Sequence, residues 1–342
     1  MRRRIYEPKS NFRITDPTGV IGKRCAVWQD LIRNQLNWDE MKAWLLLLLF
    51  GASLVGQQPQ LRLPDETAGS DRIVKILVSA FDHVDIVALG DDHWRKLDSD
   101  LRIALVRNPA FAKKVRFIVV EFGSTAQQPT LDRYIRGEDV PLAELQQVWK
   151  ATTQANGVWD SPIYADFFAA VREVNRKLPA GARVRVLAGD PPTGSHIDRD
   201  TSAVSILKEQ VLEKHGRALL IYGPGHLFRT SLPGVVGITK TLEADYPGRI
   251  FVVITQGGPY AEYDKFERAL KTPARPVLVS LGRSPFRNFT AEEFLGRNAK
   301  DLVNGEWVSA YHGSSVTLGQ MADACIYLGR TLGVDLHIGP VP

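Results

Sequence analysis

A chain of 342 residues with 44 % apolar side chains has material for one large domain or two smaller ones, which excludes wholesale disorder. The formal charge of +5 is concentrated at the front: residues 1–42 hold nine of the Lys/Arg and five of the Asp/Glu, leaving the rest close to neutral. A body without a basic excess is unsuited to the phosphate backbone, so no nucleic-acid partner is expected.

In chain order, the first feature is Met41 to Gln60, where Lys42 precedes a nearly unbroken apolar run from Ala43 to Gly56. The run is short for a spanning helix, which needs about 20 residues. Its length fits the apolar region of a secretory signal, closed by Gly51, Ala52, Ser53 and Gly56, with cleavage expected after Gly56. Residues 41–58 thus read as a signal peptide, or as a signal anchor if uncleaved, and the destination as periplasmic or secreted. Residues 1–40 then read as a misassigned start, with translation beginning at Met41, or as a cytoplasmic tail. With Cys25 removed, Cys325 stands alone, and its apolar setting, "MADACIYLG", reads as core.

From Ser70 onward, apolar runs alternate with helical patterns. Strands are expected at Val84–Gly90, Val115–Glu121, Arg183–Gly189, Arg217–Gly223, Ile250–Thr255 and Val277–Leu281. Their Val, Ile, Leu and Phe show little polar alternation, as in strands covered on both faces. Helices are expected over Ser70–His83, Asp98–Asn108, Leu142–Thr153, Pro162–Lys177, Thr201–His215 and Ala261–Leu270. The order predicts a single α/β domain over residues 68–342: a mostly parallel sheet, helices on both faces, and a helical insert from Gln127 to Ile163 near the sheet's carboxyl edge.

The expected strands end in "GDDH", "EFGS", "GDPP", "GPGH" and "QGG". In a parallel sheet these ends share one edge, where open α/β sheets bind ligands. Asp91, Asp92, His93, Glu121, Asp190 and His226 are therefore expected to converge. Two chemistries fit such a cluster. A histidine held by a carboxylate can act as a general base on water. Two histidines with two or three carboxylates can instead hold a divalent Zn, Mn, Co or Fe. Each residue also has a plainer reading: Asp91 as a helix cap, Asp190 as a turn former before two prolines, His196 as a loop residue. His83, His215, His312 and His337 show no partner spacing. Arg95 is a candidate for an anionic group, and Tyr164 and Arg172, eight apart on one helix, for the cleft wall. "GPGH" lacks the Lys and Ser of a phosphate loop, no G-x-G-x-x-G follows the first strand, and neither Ser124 nor Ser195 sits in a G-x-S-x-G elbow.

The motifs also resemble a known family. "GDDH" at 90–93 is similar to the Gly-Glu-x-His signature of the erythromycin-esterase, ChaN and TIKI/TraB superfamily. "VRFIVVEFG", "QQPTLDRYIRGED" followed by Trp149, "YADFFAAVREVNRKLP", "VRVLAGD" and "IYGPGHLFR" resemble its later segments in order, over roughly Asp82 to Arg229. The resemblance implies an α/β fold with a helical insert and several roles: lactone hydrolysis by a histidine-activated water, haem binding, or metal-dependent proteolysis. It implies His93 as base or ligand, Glu121 as the strand-end glutamate and His226 as the late histidine. Asp91 stands where the family has glutamate, one methylene longer, and a misplacement near 1 Å can cost about a hundredfold in rate.

The expected function is an exported hydrolase of an ester, lactone or peptide bond. His93, Asp91 and Glu121 are its catalytic candidates, and His93, Glu121, His226 and Asp190 its candidate metal or haem ligands. Asp92, Arg95, Tyr164 and Arg172 are candidates for substrate binding. The alternatives are a non-catalytic haem or metal binder for uptake, or a relative that kept the fold and lost the activity.

Overall fold

The unbroken apolar runs form the centre of an eight-stranded sheet in the computed structural model of the protein, described over residues 61–154, 157–230, 236–258, 263–295, 300–303, 306–309 and 314–330. The strands are β1 (Glu66–Ala68), β2 (Ile86–Gly90), β3 (Phe117–Ser124), β4 (Arg185–Asp190), β5 (Ala218–Tyr222), β6 (Ile250–Gln256), β7 (Val277–Ser280) and β10 (Ala324–Tyr327). A separate hairpin pairs β8 (Lys300–Val303) with β9 (Glu306–Ser309). The apolar run at Met41–Gln60, Cys25, His312 and His337 lie outside the described residues.

The order across the sheet is β1-β7-β10-β6-β2-β5-β3-β4. From β10 to β4 every neighbour is parallel. The run at Val277–Leu281, read with the parallel set, is antiparallel as β7. The reason is β10: it takes the parallel place beside β6, and β7 returns against it. After β4 the chain comes back to lay β5 beside β2, and then passes to β2's other side with β6. The carboxyl end of β2 therefore sits where the strand order reverses, the usual position of a ligand crevice.

Side-chain alternation feeds two cores. Val87, Leu89, Ile118, Val120, Leu219 and Ile221 point to one face, covered by α1 (Ser70–Ala80), α2 (Lys96–Arg107), α3 (Gln128–Arg136), α4 (Leu142–Lys150) and α5 (Pro162–Arg176). Ile86, Ala88, Val119, Leu220, Val252 and Ile254 point to the other, covered by α6 (Arg199–Ile206), α7 (Ile238–Asp245) and α8 (Tyr263–Ala269). The helices form for local reasons. On α1, Ile73, Val74, Leu77 and Val78 recur at helical spacing and are buried. Pro162 opens α5 at a position where a missing N–H costs nothing. Asp198 caps α6 by accepting from the Thr201 N–H at 3.1 Å. Cys325 is buried on β10, where desolvation raises its thiol far above the ordinary value and makes it inert. Among the described residues, no helix is long and apolar enough to cross a membrane.

Candidate active site

Strand β2 ends at Gly90, where a Cβ would lie 2.7 Å from the Thr255 backbone nitrogen, so only glycine lets β2 press against β6 here. The chain then turns sharply. Trp94 sits in the left-handed region at φ 64, and its indole donates to the Val158 carbonyl at 2.6 Å, anchoring the turn to the insert. The turn aims His93 back over the sheet edge. Its Nδ1 lies 3.2 Å from Asp91 Oδ2, and its ring meets Trp159 edge-to-face at 4.8 Å.

Asp91 does not cap α2, whose first turn has no side-chain cap. It is buried against Arg102, with Oδ1 2.7 Å from Nη1, and accepts from the Tyr164 hydroxyl at 3.3 Å. Arg102 in turn lies 3.6 Å from Asp98, and both project from the inward face of α2. These are ion pairs by distance: the angles leave His93 Nδ1, Asp91 Oδ1 and Arg102 Nη1 without an aligned hydrogen bond.

Glu121 enters from β3 and is buried. Its Oε2 accepts the Gly223 N–H at 2.6 Å, and its Oε1 meets Arg199 and lies 3.4 Å from His226 Nε2. Gly223 joins the two halves. A Cβ there would lie 3.4 Å from both His93 Nε2 and Glu121 Oε2, so the bare backbone leaves the gap in which the two groups face each other. His226 Nδ1 is 2.6 Å from Oδ1 of Asp200, a fully buried residue on α6. Asp190 accepts from the Thr153 N–H and hydroxyl and from Arg199 Nε at 2.9 Å. Asp91, His93, Glu121, Asp190 and His226 thus share one edge, and both imidazoles feel the Glu121 carboxylate.

The remaining candidates are placed differently. Asp92 and Arg95 pair with each other at 3.4 Å, and Arg95 also donates to the Gly257 carbonyl. Tyr164 is buried behind the cluster on Asp91. Arg172 lies over the Tyr134 ring and donates to the Gly137 carbonyl. Eight residues are about 12 Å along a helix, so Arg172 is at the far end of α5 from the site. His196 lies on the exposed loop before α6. Arg102, Arg199, Asp200 and Gly223 were not singled out from sequence. Arg102 did leave a signal, because Asp98 and Arg102 are four apart among the apolar positions of α2.

Burial alone would depress His93, but the Asp91, Glu121 and Asp92 carboxylates outweigh it and raise its pKa to about 9. His226 is raised likewise: Asp200 and Glu121 overcome desolvation. Desolvation pushes Asp92 up to about 7, with Arg95 only partly opposing it. Asp91 goes the other way; burial would raise it, and Arg102 and His93 hold it low. Beside the cluster, a cavity of about 140 Å³ is lined by Trp149, Thr153, Trp159, Asp160 and Thr193 among others. Trp159 is shared between its wall and the face of His93.

No protein-family model matches the chain, and no curated protein matches it. Solved structures do. A mutant of erythromycin esterase EreC in its open conformation superposes over 79 % of this chain and 95 % of its own, at TM-score 0.52 and 11 % identity. The chain has the erythromycin-esterase fold. ChaN of Campylobacter jejuni, described with cofacial haem binding, matches over 57 % of this chain and 87 % of its own at TM-score 0.37 and 16 % identity. A Bacillus cereus protein matches over 77 % and 98 % at TM-score 0.49 and 10 % identity. At these identities the likeness is one of fold.

On this erythromycin-esterase-like sheet, the donor set does not fit a divalent metal. Among the described residues no three His, Cys, Asp or Glu are arranged around a common ion position. Glu121 and Asp190 instead share the guanidinium of Arg199, which already supplies their positive charge.

Proposed function

We propose that the protein is a metal-independent hydrolase of an ester, lactone or peptide bond in a small-molecule or peptide substrate. The observation that supports this most directly is the pair of imidazoles, each backed by a buried aspartate, whose charged forms the same Glu121 carboxylate favours. His93, once its proton leaves, takes a proton from water at Nε2, with Asp91 steadying the imidazolium that forms. His226 carries the proton for the leaving group. Glu121, fixed by Arg199 and the Gly223 N–H, favours the charged forms of both rings. The cavity beside Trp159 offers room for part of the substrate. The apolar run after Lys42 supports export, so the reaction is assigned to a periplasmic, secreted or membrane-anchored protein.

The test is a pH–rate profile on a panel of esters, lactones and peptides. Turnover should climb as pH approaches about 9, where His93 gives up its proton. A profile that falls over that range, or no turnover anywhere on the panel, removes this assignment. Metal dependence is checked separately. Protein dialysed against EDTA should keep its full rate, and elemental analysis should find no stoichiometric zinc, manganese, cobalt or iron. Loss of activity restored by one of these ions would contradict the metal-independent mechanism.

A further inference from the structure

Asp200 is a charged group at this edge that no strand end delivers. It lies in the first turn of α6, next to Arg199, and is fully buried. Both of its oxygens are used. Oδ1 is 2.6 Å from His226 Nδ1, and Oδ2 accepts the Gly237 N–H at 2.8 Å. Gly237 heads α7 at φ 82, and its N–H can only donate. On the other side of the ring, His226 Nε2 is 3.4 Å from Glu121 Oε1, too long for a firm hydrogen bond. The two nitrogens of His226 are therefore unequal. One is held by a short bond to a buried carboxylate; the other faces Glu121 Oε1.

We infer that Asp200 is a positioning residue: it pins a proton on His226 Nδ1 and leaves Nε2, facing Glu121, as the nitrogen through which His226 exchanges protons. This deepens the hydrolase reading, on which it rests for its catalytic meaning, while the geometry itself is independent of any substrate. Proton release then follows one route. The imidazolium loses its Nε2 proton on the Glu121 side and keeps Nδ1–H on Asp200. The neutral ring has its lone pair on the reacting side.

The substitution Asp200→Asn separates this role from a merely structural one. Gly237 N–H still requires an acceptor, so the amide oxygen stays on Gly237. The amide NH₂ then faces His226 Nδ1. Two donors cannot face each other in a buried site without loss of a hydrogen bond. Nδ1 must therefore become the lone-pair nitrogen, and the proton moves to Nε2. The fold is retained, because the side chain keeps its shape and both contacts.

The experiment is ring-nitrogen NMR on uniformly ¹⁵N-labelled full-length protein, with the His226 signals assigned by their loss in His226→Gln. In the wild type, Nδ1 should stay protonated through the titration while Nε2 changes from protonated to lone-pair character. In Asp200→Asn the pattern should invert, with Nδ1 unprotonated and Nε2 protonated. A wild-type ring that deprotonates at Nδ1, or an Asn variant with an unchanged pattern, overturns the inference. Should Asp200→Asn fail to fold, the wild-type spectrum alone decides. Turnover provides the second arm: on a hydrolysed substrate, Asp200→Asn should lose about ten-thousandfold, the scale of a histidine locked in the wrong tautomer. An inverted tautomer with turnover intact leaves the role of Asp200 standing and removes the proton-transfer role of His226.

Discussion

Replacing His93 by alanine should lower turnover at pH 9 by about a thousandfold, within the range that one positioned acid–base side chain contributes. The loss should appear in kcat, since the ring acts on water and not on the bound portion of the substrate. The protein should still fold, because Arg102 continues to neutralise Asp91 from the other side. The alanine variant should also lose the rise in rate towards pH 9 that marks deprotonation of His93. Steady-state kinetics of wild type and variant across pH 6–10, with circular dichroism as the folding control, provides the check. A variant within tenfold of wild type would falsify the assignment of His93 as the base.

The second large effect is on stability. Arg102 is the buried cation between Asp91 and Asp98, and Arg102→Met leaves both carboxylates in the core without it. Breaking a buried pair from one side typically costs about 3–5 kcal/mol, because a charge remains without compensation. Urea unfolding should show a loss on that scale. Adding Asp91→Asn to Arg102→Met should recover much of it, since removing both members of a buried pair costs less than removing one. A single-variant loss below about 1 kcal/mol would show that the pair is not buried as described.

The same charges set the pH window of stability. The His93 pKa is raised from 6.5 to about 9, so its stabilising contribution is complete below 6.5 and is lost as pH climbs through 9. Asp92, raised from 3.8 to about 7 by burial, acts in the same direction: stability falls as pH rises across that interval. Asp91 is held below its ordinary value, so its contribution is present above 3.8 and is lost on acidification. Stability should therefore decline on both the acid and the alkaline side, and more strongly on the alkaline.

Much of this was legible in the sequence, for identifiable reasons. Strands β2 to β6 are buried on both faces, so their apolar runs stand out without alternation. Because those strands are parallel, the residues that follow them share an edge, and Asp91, His93, Glu121, Asp190 and His226 could be placed together from strand order alone. Strand β10 was harder to place. It is only four residues long and finds its partners by insertion between β6 and β7, a non-local event with no local signature. Asp200 was hidden for a different reason. In "DRDTS" it looks like one more helix-start carboxylate, and its neighbour Asp198 does fill that role. Arg199 gains its meaning from a partner 78 residues away, a separation across which sequence spacing carries no information. Tyr164 and Arg172 show the limit of helical spacing, which identifies a face but not the depth at which each residue sits.

No stretch of the chain contains the site alone. Its side chains come from the ends of β2, β3, β4 and β5 and from the first turn of α6, and they meet only when the sheet has been laid down in its reversed order. A fragment bearing any one of these motifs lacks the other side chains of the cluster. On the proposed hydrolase reading, rate in a crude extract would accordingly count native molecules and so measure how much of the expressed material has reached its finished form.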